Sequence, residues 1–182
     1  MARYVTMEEQ VDLDFTRARR KAFFRRIHSR FLGDPASTRM PSFEDVSNEL
    51  HAFNKVRLGK RVVAVEKIVG SVGRSGDFDR GFLPARMSLE ARWKRVDRAY
   101  HGGQDLPPVT LFKVGDSYFV EDGNHRVSVA RYQGAEWIDA EVTILYGSTT
   151  AAPVQGSGTE PMEQAVAPAV AVDRERVHAE AA

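Results

Sequence analysis

Cysteine does not occur in the 182 residues. Its absence excludes a disulfide framework, a thiolate nucleophile and any cysteine-based zinc site, and it fits a cytoplasmic location. No apolar run approaches the roughly 20 residues that span a bilayer. The first stretch, MARYVTMEEQVDLDF, lacks the apolar segment of a signal peptide. These absences lead to the expectation of a soluble, cytoplasmic protein with no membrane partner. Charge of one sign is also missing overall, with 26 Lys and Arg against 25 Asp and Glu. The total therefore carries no sign of a polyanionic partner, and the distribution has to be read instead.

Three zones are expected along the chain. Residues 147–182 contain no Phe, Trp or Tyr and are dominated by Ala, Gly, Pro, Ser and Thr. Such a segment has too little to bury against its ordering entropy, so a disordered tail is expected. Residues 1–60 read as a helical extension. Phe15, Ala18, Ala22, Phe23, Ile27 and Phe31 recur at helical spacing. Thr16 stands where a cap would, and Gly33 and Pro35 stop the helix. The pattern predicts a second helix after Ser42, with Glu44 and Asp45 in its first turn and Val46, Leu50 and Phe53 on one face. The polar side of the first helix carries Arg17, Arg19, Arg20, Lys21, Arg25, Arg26 and Arg30 with no acid among them. That block, residues 17–30, is either a solvated face or a surface that meets the phosphates of DNA.

Residues 61–146 alternate strand and helix signals, which predicts a mixed α+β domain. RVVAV reads as a strand. Ser88 to Tyr100 reads as a helix capped by Ser88. VTLFKV and SYFVED read as a hairpin around Gly115-Asp116. A helix from His125 to Gln133 is expected, capped by Asn124 and stopped by Gly134. WIDAEVTIL closes as a strand. The domain is near the minimum size for a stable core, and the helical extension is expected to supply further buried area.

Two stretches carry candidate chemistry. In EDGNHR, Glu121 and Asp122 end a strand, Gly123 turns the chain, and Asn124, His125 and Arg126 open a helix. A basic pair at a helix start repels the free N–H end unless an anion lies between them. The helix N–H groups and the arginine fork together make a phosphate site. Glu121 or Asp122 would hold Mg²⁺ or take a proton from a hydroxyl. A local alternative stays open: Asp122 pairs with Arg126, and His125 packs. The second stretch, VGSVGRSGDFDR, places Gly70, Gly73 and Gly76 beside Ser71 and Arg74, with Asp77 and Asp79 as candidates for a metal or a ribose. Its glycine spacing matches neither the phosphate loop of the P-loop enzymes nor the dinucleotide fingerprint.

The order of elements, with GRSGDFD at 73–79 and GNHRVSVA at 123–130, resembles the N-terminal domain of the ParB family, within the ParB/sulfiredoxin superfamily. The ParB phosphate box reads GERRxRAA. Gly123, Arg126 and Ala130 match it, while His125 and Ser128 replace two of its arginines. In sulfiredoxins the similar stretch is GGCHR. Asn124 stands in place of that cysteine, which excludes cysteine-dependent chemistry and keeps the His-Arg pair. Free serine kinases of the superfamily carry a motif similar to DGNHR. No helix-turn-helix pattern follows residue 146.

The resemblance implies a nucleotide- and phosphate-binding domain in a DNA-associated regulatory protein. Gly70, Ser71, Arg74, Gly123, Asn124, His125 and Arg126 would hold CTP, ATP or ADP, and Asp122 or Glu121 would meet Mg²⁺. The alternatives are a small-molecule kinase of the free serine kinase type, for which Glu66 and Asp122 are the candidate general bases, and a non-catalytic adaptor on the same fold.

Overall fold

The computed structural model describes residues 5–44, 46 and 53–147. The chain divides into two units, Met1–Thr149 and Thr150–Ala182, and only the first contains described residues. The expected tail and most of the expected second helix, including Asp45 and Leu50, lie outside the described residues. So does the side chain of Phe53.

Among the described residues the fold is mixed α+β. Helix α1 (Met7–Phe31) comes first. Strand β1 (Phe53–Ala64) and the short strand β2 (Ile68–Ser71) follow. Then come α2 (Glu90–His101), the hairpin β3 (Val109–Val114) and β4 (Ser117–Asp122), α3 (Asn124–Tyr132), and finally β5 (Trp137–Gly147). The five strands form one sheet in the order β1-β5-β3-β4-β2. The β1–β5 and β3–β4 pairs are antiparallel, whereas β3–β5 and β2–β4 are parallel.

The helix α1 starts earlier than its apolar pattern suggests. Thr6 accepts a hydrogen bond from the Glu9 N–H at 3.2 Å, and the Glu9 carboxylate accepts from the Thr6 N–H at 3.0 Å. This capping box satisfies two end donors at once. Thr16, expected as the cap, instead lies inside the helix and donates its hydroxyl to the Asp12 carbonyl. Val11, Phe15, Ala18 and Ala22 are buried, but Phe23 and Phe31 are 49% and 87% exposed. A helix of 25 residues is about 37 Å long, and its buried positions continue through Ala22 to Ser29.

The core joins this helix to the sheet. Phe15, Trp93, Val109, Leu111, Val120, Val127, Val129 and Val142 form one buried cluster. The Trp93 ring lies 5.6 Å from both Phe15 and Tyr132. Its indole N–H donates to Ser128 Oγ at 2.9 Å, and the Ser128 hydroxyl donates to the Phe82 carbonyl. Ser128, one of the positions where the ParB box has arginine, is thus a fully buried link between α2, α3 and the loop before α2.

The start of α2 and the extent of one strand also differ from expectation. A short 3₁₀ turn, Met87–Leu89, precedes α2, and Ser88 makes no capping hydrogen bond. The buried side chain of Leu89 anchors that start instead. The strand expected at RVVAV extends back to Phe53, across the position-60 boundary, with Gly59 at φ 72° absorbing a register shift. The α3 end follows expectation: Gly134 has φ 76°, its N–H donates to the Arg131 carbonyl, and the Ala135 N–H donates to the Ala130 carbonyl. That pair of bonds is a Schellman motif.

Candidate functional site

The junction of β4 and α3 builds the candidate site. The register between β3 and β4 slips between Thr110 and Leu111, whose partners are Asp122 and Val120. Glu121 is therefore an extra residue in the strand. A bulge of this kind breaks the in–out alternation and re-aims side chains. Glu121 and Asp122 are both exposed as a result, and both line the same cleft.

Gly123 then turns the chain at φ 101° and serves as the N-cap of α3, with its carbonyl accepting from the Val127 N–H at 3.0 Å. A Cβ here would lie 2.6 Å from Val109 Cγ1 and 3.0 Å from the Arg126 guanidinium. Only glycine fits both the torsion and the space. Asn124, expected as the cap, is the first helical residue and makes no capping bond. The left-handed turn at Gly123 takes over that position.

The polar groups of the first turn are unusually buried. Asn124 is 5% and His125 7% exposed, and neither Asn124 Oδ1 nor His125 Nδ1 has a hydrogen-bond partner. The His125 ring meets Phe78 edge-on, with centroids 5.4 Å apart. Burial, then the positive charges of Arg92 and Arg74, push the imidazole down to about 4, so it is neutral at pH 7.

Around these atoms lies a cleft of about 280 Å³. Arg74 and Arg92, Glu121 and Asp122, and the apolar Val96, Leu106 and Pro107 line it. Arg74 is half exposed and bonds Asp77 at 3.2 Å. Arg92 is exposed and has no carboxylate partner among the described residues. The sequence reading did not single out Arg92, although the spacing of Leu89, Trp93 and Val96 already put it on the polar side of α2.

Arg126 behaves as the local alternative described. Its guanidinium donates to the Pro107 carbonyl, to the Pro108 carbonyl at 2.7 Å, and to Asp122 Oδ2 at 2.6 Å. It lines the cleft but is held by the protein, tying the 107–108 loop to the β4–α3 turn.

The other expected residues are placed as follows. Gly70 packs against the chain itself: a Cβ would meet the Pro41 carbonyl at 2.5 Å and the Phe119 ring at 2.7 Å. Ser71 is fully buried and donates to the Val120 carbonyl at 3.3 Å. Neither lines the cleft. Glu66 is exposed in a separate hollow with Arg131 and Trp137, away from Asp122. Asp79 organises its own loop, accepting from the Gly81 and Leu83 N–H groups at 2.8 and 2.9 Å. Asp77 is held by Arg74 and Arg86. Neither Asp122 nor Glu121 belongs to a group of three acids or histidines close enough to share a metal, among the described residues.

The basic face of α1 forms a second polar surface. Arg25 faces Asp79 at 3.6 Å. Arg19, Arg26 and Arg30 join Arg39 around a hollow of about 370 Å³ floored by Ala22 and Phe78. Among the described residues none of the three α1 arginines in this hollow has a carboxylate partner. No helix among the described residues is long and apolar enough to cross a membrane.

No family model matches the chain, and no curated protein matches it. Among solved structures the chain is similar to sulfiredoxin from Arabidopsis thaliana, at 16% identity over 46% of this chain and 82% of that one, with a TM-score of 0.35. A likeness of that degree says nothing of activity.

Proposed function

We propose that the cleft at the start of α3 binds a phosphate-bearing small molecule, a nucleoside di- or triphosphate such as CTP, ATP or ADP, and that the protein acts as a nucleotide-responsive regulator. One observation carries this reading. A buried histidine, His125, is held neutral beside two arginines, Arg74 and Arg92, at a helix N-terminus. Arg92, without a carboxylate partner among the described residues, stands with the orphaned polar atoms Asn124 Oδ1 and His125 Nδ1 at this helix start, and an arginine at a helix N-terminus suits an anion.

The residues divide the work. Arg74, Arg92 and the N–H groups of the first α3 turn would meet phosphate oxygens. Asn124 Oδ1, an acceptor without a donor, would take a ligand hydroxyl. Arg126 and Asp122 would hold the turn in place. A cleft of about 280 Å³ is at the low end for small-molecule sites, which run from about 300 Å³ upward. It therefore suits the phosphate end of the ligand, with the rest lying along Val96, Leu106 and Pro107. Mg²⁺ usually keeps phosphate oxygens and takes one or two carboxylates. Glu121, which has no ion-pair partner among the described residues, fits that role better than Asp122.

A second reading concerns the α1 arginines. Arg19, Arg26 and Arg30 line one hollow and have no carboxylate partner among the described residues, which favours a phosphate backbone, so we infer a DNA contact there. A third, phosphotransfer, would need a base at the cleft, and Asp122 would be its candidate. Calorimetric titration with CTP, ATP and ADP, each with Mg²⁺, tests the first reading. A phosphate-release assay on any nucleotide that binds then separates a binder from an enzyme. Absence of heat with all three nucleotides would overturn the nucleotide reading.

A further inference from the structure

Away from the cleft, three helices bring polar groups together, two buried carboxylates and an exposed histidine among them. Asp14 of α1 is 3% exposed, and Asp97 of α2 is fully buried. His101 lies one turn after Asp97. Tyr132 and Gln133 arrive from the end of α3. Asp14 Oδ2 is 3.1 Å from His101 Nε2, and Asp97 Oδ2 is 3.7 Å from the same nitrogen. One ligand atom from each of these three residues lies within 4.8 Å of the other two.

The cluster is short of positive charge. Two buried carboxylates face one imidazole, and among the described residues no Lys or Arg pairs with either of them. Asp14 is well supplied with donors. Tyr132 donates to its Oδ1 at 3.0 Å, and Gln10 donates to its Oδ2 at 3.0 Å. Asp97 is not. Gln133 donates to Oδ1 at 2.8 Å, but Oδ2 is buried without a hydrogen-bond donor and points at the His101 nitrogen. An uncompensated buried carboxylate oxygen costs several kilocalories unless a cation or proton meets it.

We propose that Asp14, Asp97 and His101 form a binding site for a divalent transition-metal ion, Zn²⁺ foremost, that pins α1 to α2. The donor set of one imidazole and two carboxylates suits such an ion better than Ca²⁺ or Mg²⁺, which prefer oxygen alone. The spacing also fits. Ligand atoms about 2.0–2.2 Å from a tetrahedral ion lie roughly 3.3–3.6 Å from one another, against the observed 3.1 and 3.7 Å. The Gln133 amide nitrogen borders the three groups, 2.8 Å from Asp97 Oδ1, 3.2 Å from His101 Nε2 and 3.4 Å from Asp14 Oδ2. Turning that amide over would present its oxygen as a fourth ligand. The sequence signal is Asp97 and His101 four residues apart on one helix face, completed by an acid from α1.

The test uses the full chain, stripped with chelator and desalted. Thermal unfolding is followed with Zn²⁺, Mn²⁺ and Mg²⁺ added singly, and visible spectra are taken with Co²⁺. Zn²⁺ should raise the melting temperature with its concentration, Mg²⁺ should not, and Co²⁺ should show the intense visible bands of a low-coordinate site. Asp97→Asn and His101→Ala should each weaken Zn²⁺ at least tenfold, while His28→Ala, at an exposed position near the other end of α1, leaves it unchanged. The Co²⁺ spectrum of the wild-type chain needs no variant to fold. A spectrum identical to the aqua ion, or a Zn²⁺ effect equal in wild type, Asp97→Asn and His101→Ala, would overturn the proposal.

Discussion

The Arg126 guanidinium donates to the Asp122 carboxylate at 2.6 Å across the Gly123 turn, and the same side chain holds the carbonyls of Pro107 and Pro108. One arginine thus fixes three segments at the mouth of the cleft. Its removal strands two carbonyls and one carboxylate. Arg126→Ala is expected to lower unfolding stability by about 1–3 kcal/mol, read by urea denaturation. Asp122→Asn keeps an acceptor and is expected to cost less than about 1 kcal/mol, as for an exposed pair. Equal losses in the two variants would show that the Pro107 and Pro108 bonds contribute nothing.

Gly123→Ala tests the turn itself. The substitution puts a Cβ at φ 101° and against Val109. Backbone strain of this kind costs on the order of 1–3 kcal/mol, before any clash is counted. Gly73→Ala is the control, since Gly73 has φ 67° but open space around it. Denaturation midpoints should fall further for Gly123→Ala than for Gly73→Ala.

His125 gives a pH dependence with a definite sign. Its folded pKa is depressed to about 4 from an ordinary 6.5. Above pH 6.5 both folded and unfolded chains carry the neutral ring, and it contributes nothing. Between pH 6.5 and 4 the unfolded chain takes up the proton and the folded chain does not, so stability falls as pH falls. The full effect is on the order of 3 kcal/mol at about 1.4 kcal/mol per pK unit. His125→Gln should flatten the stability–pH curve in that window. An unchanged slope would mean that the ring is not desolvated.

The α1 arginines are tested by salt. If Arg19, Arg26 and Arg30 meet DNA phosphates, log K should fall against log salt with a slope near −0.9 per contact. Arg19→Ala with Arg30→Ala should flatten it by about 1.8, and equally on unrelated duplexes, because phosphate contacts carry no base information. No gel retardation of a random duplex at low salt would leave the face simply solvated.

Much of this architecture was legible where the signal is local. The Gly115-Asp116 turn between VTLFKV and SYFVED marks β3 and β4, the alternation in WIDAEVTIL marks β5, and Gly134 marks the end of α3 because few residues besides glycine accept a left-handed torsion there. The start of α1 was also local, in the Thr6–Glu9 box, but the apolar repeat drew the reading to Thr16. Other features depend on pairing between distant segments. The Glu121 bulge arises from the β3 partner. Arg126 could be read as a phosphate clamp until the Pro107 and Pro108 carbonyls were placed beside it. Ser71 and Gly70 read as loop residues because nothing nearby in the chain announces that β2 pairs with β4. Arg92 became part of the site only when α2 was laid across the start of α3.

The most direct test of the cleft compares nucleotide binding in Arg92→Ala and Arg74→Ala with binding in Arg20→Ala, which alters α1 instead. A charge-assisted hydrogen bond contributes roughly 1.5–3 kcal/mol, so each cleft variant should bind at least tenfold more weakly. Arg20→Ala should match wild type. If wild type binds ADP or CTP and the two cleft variants bind it equally well, the phosphate site is not at the start of α3.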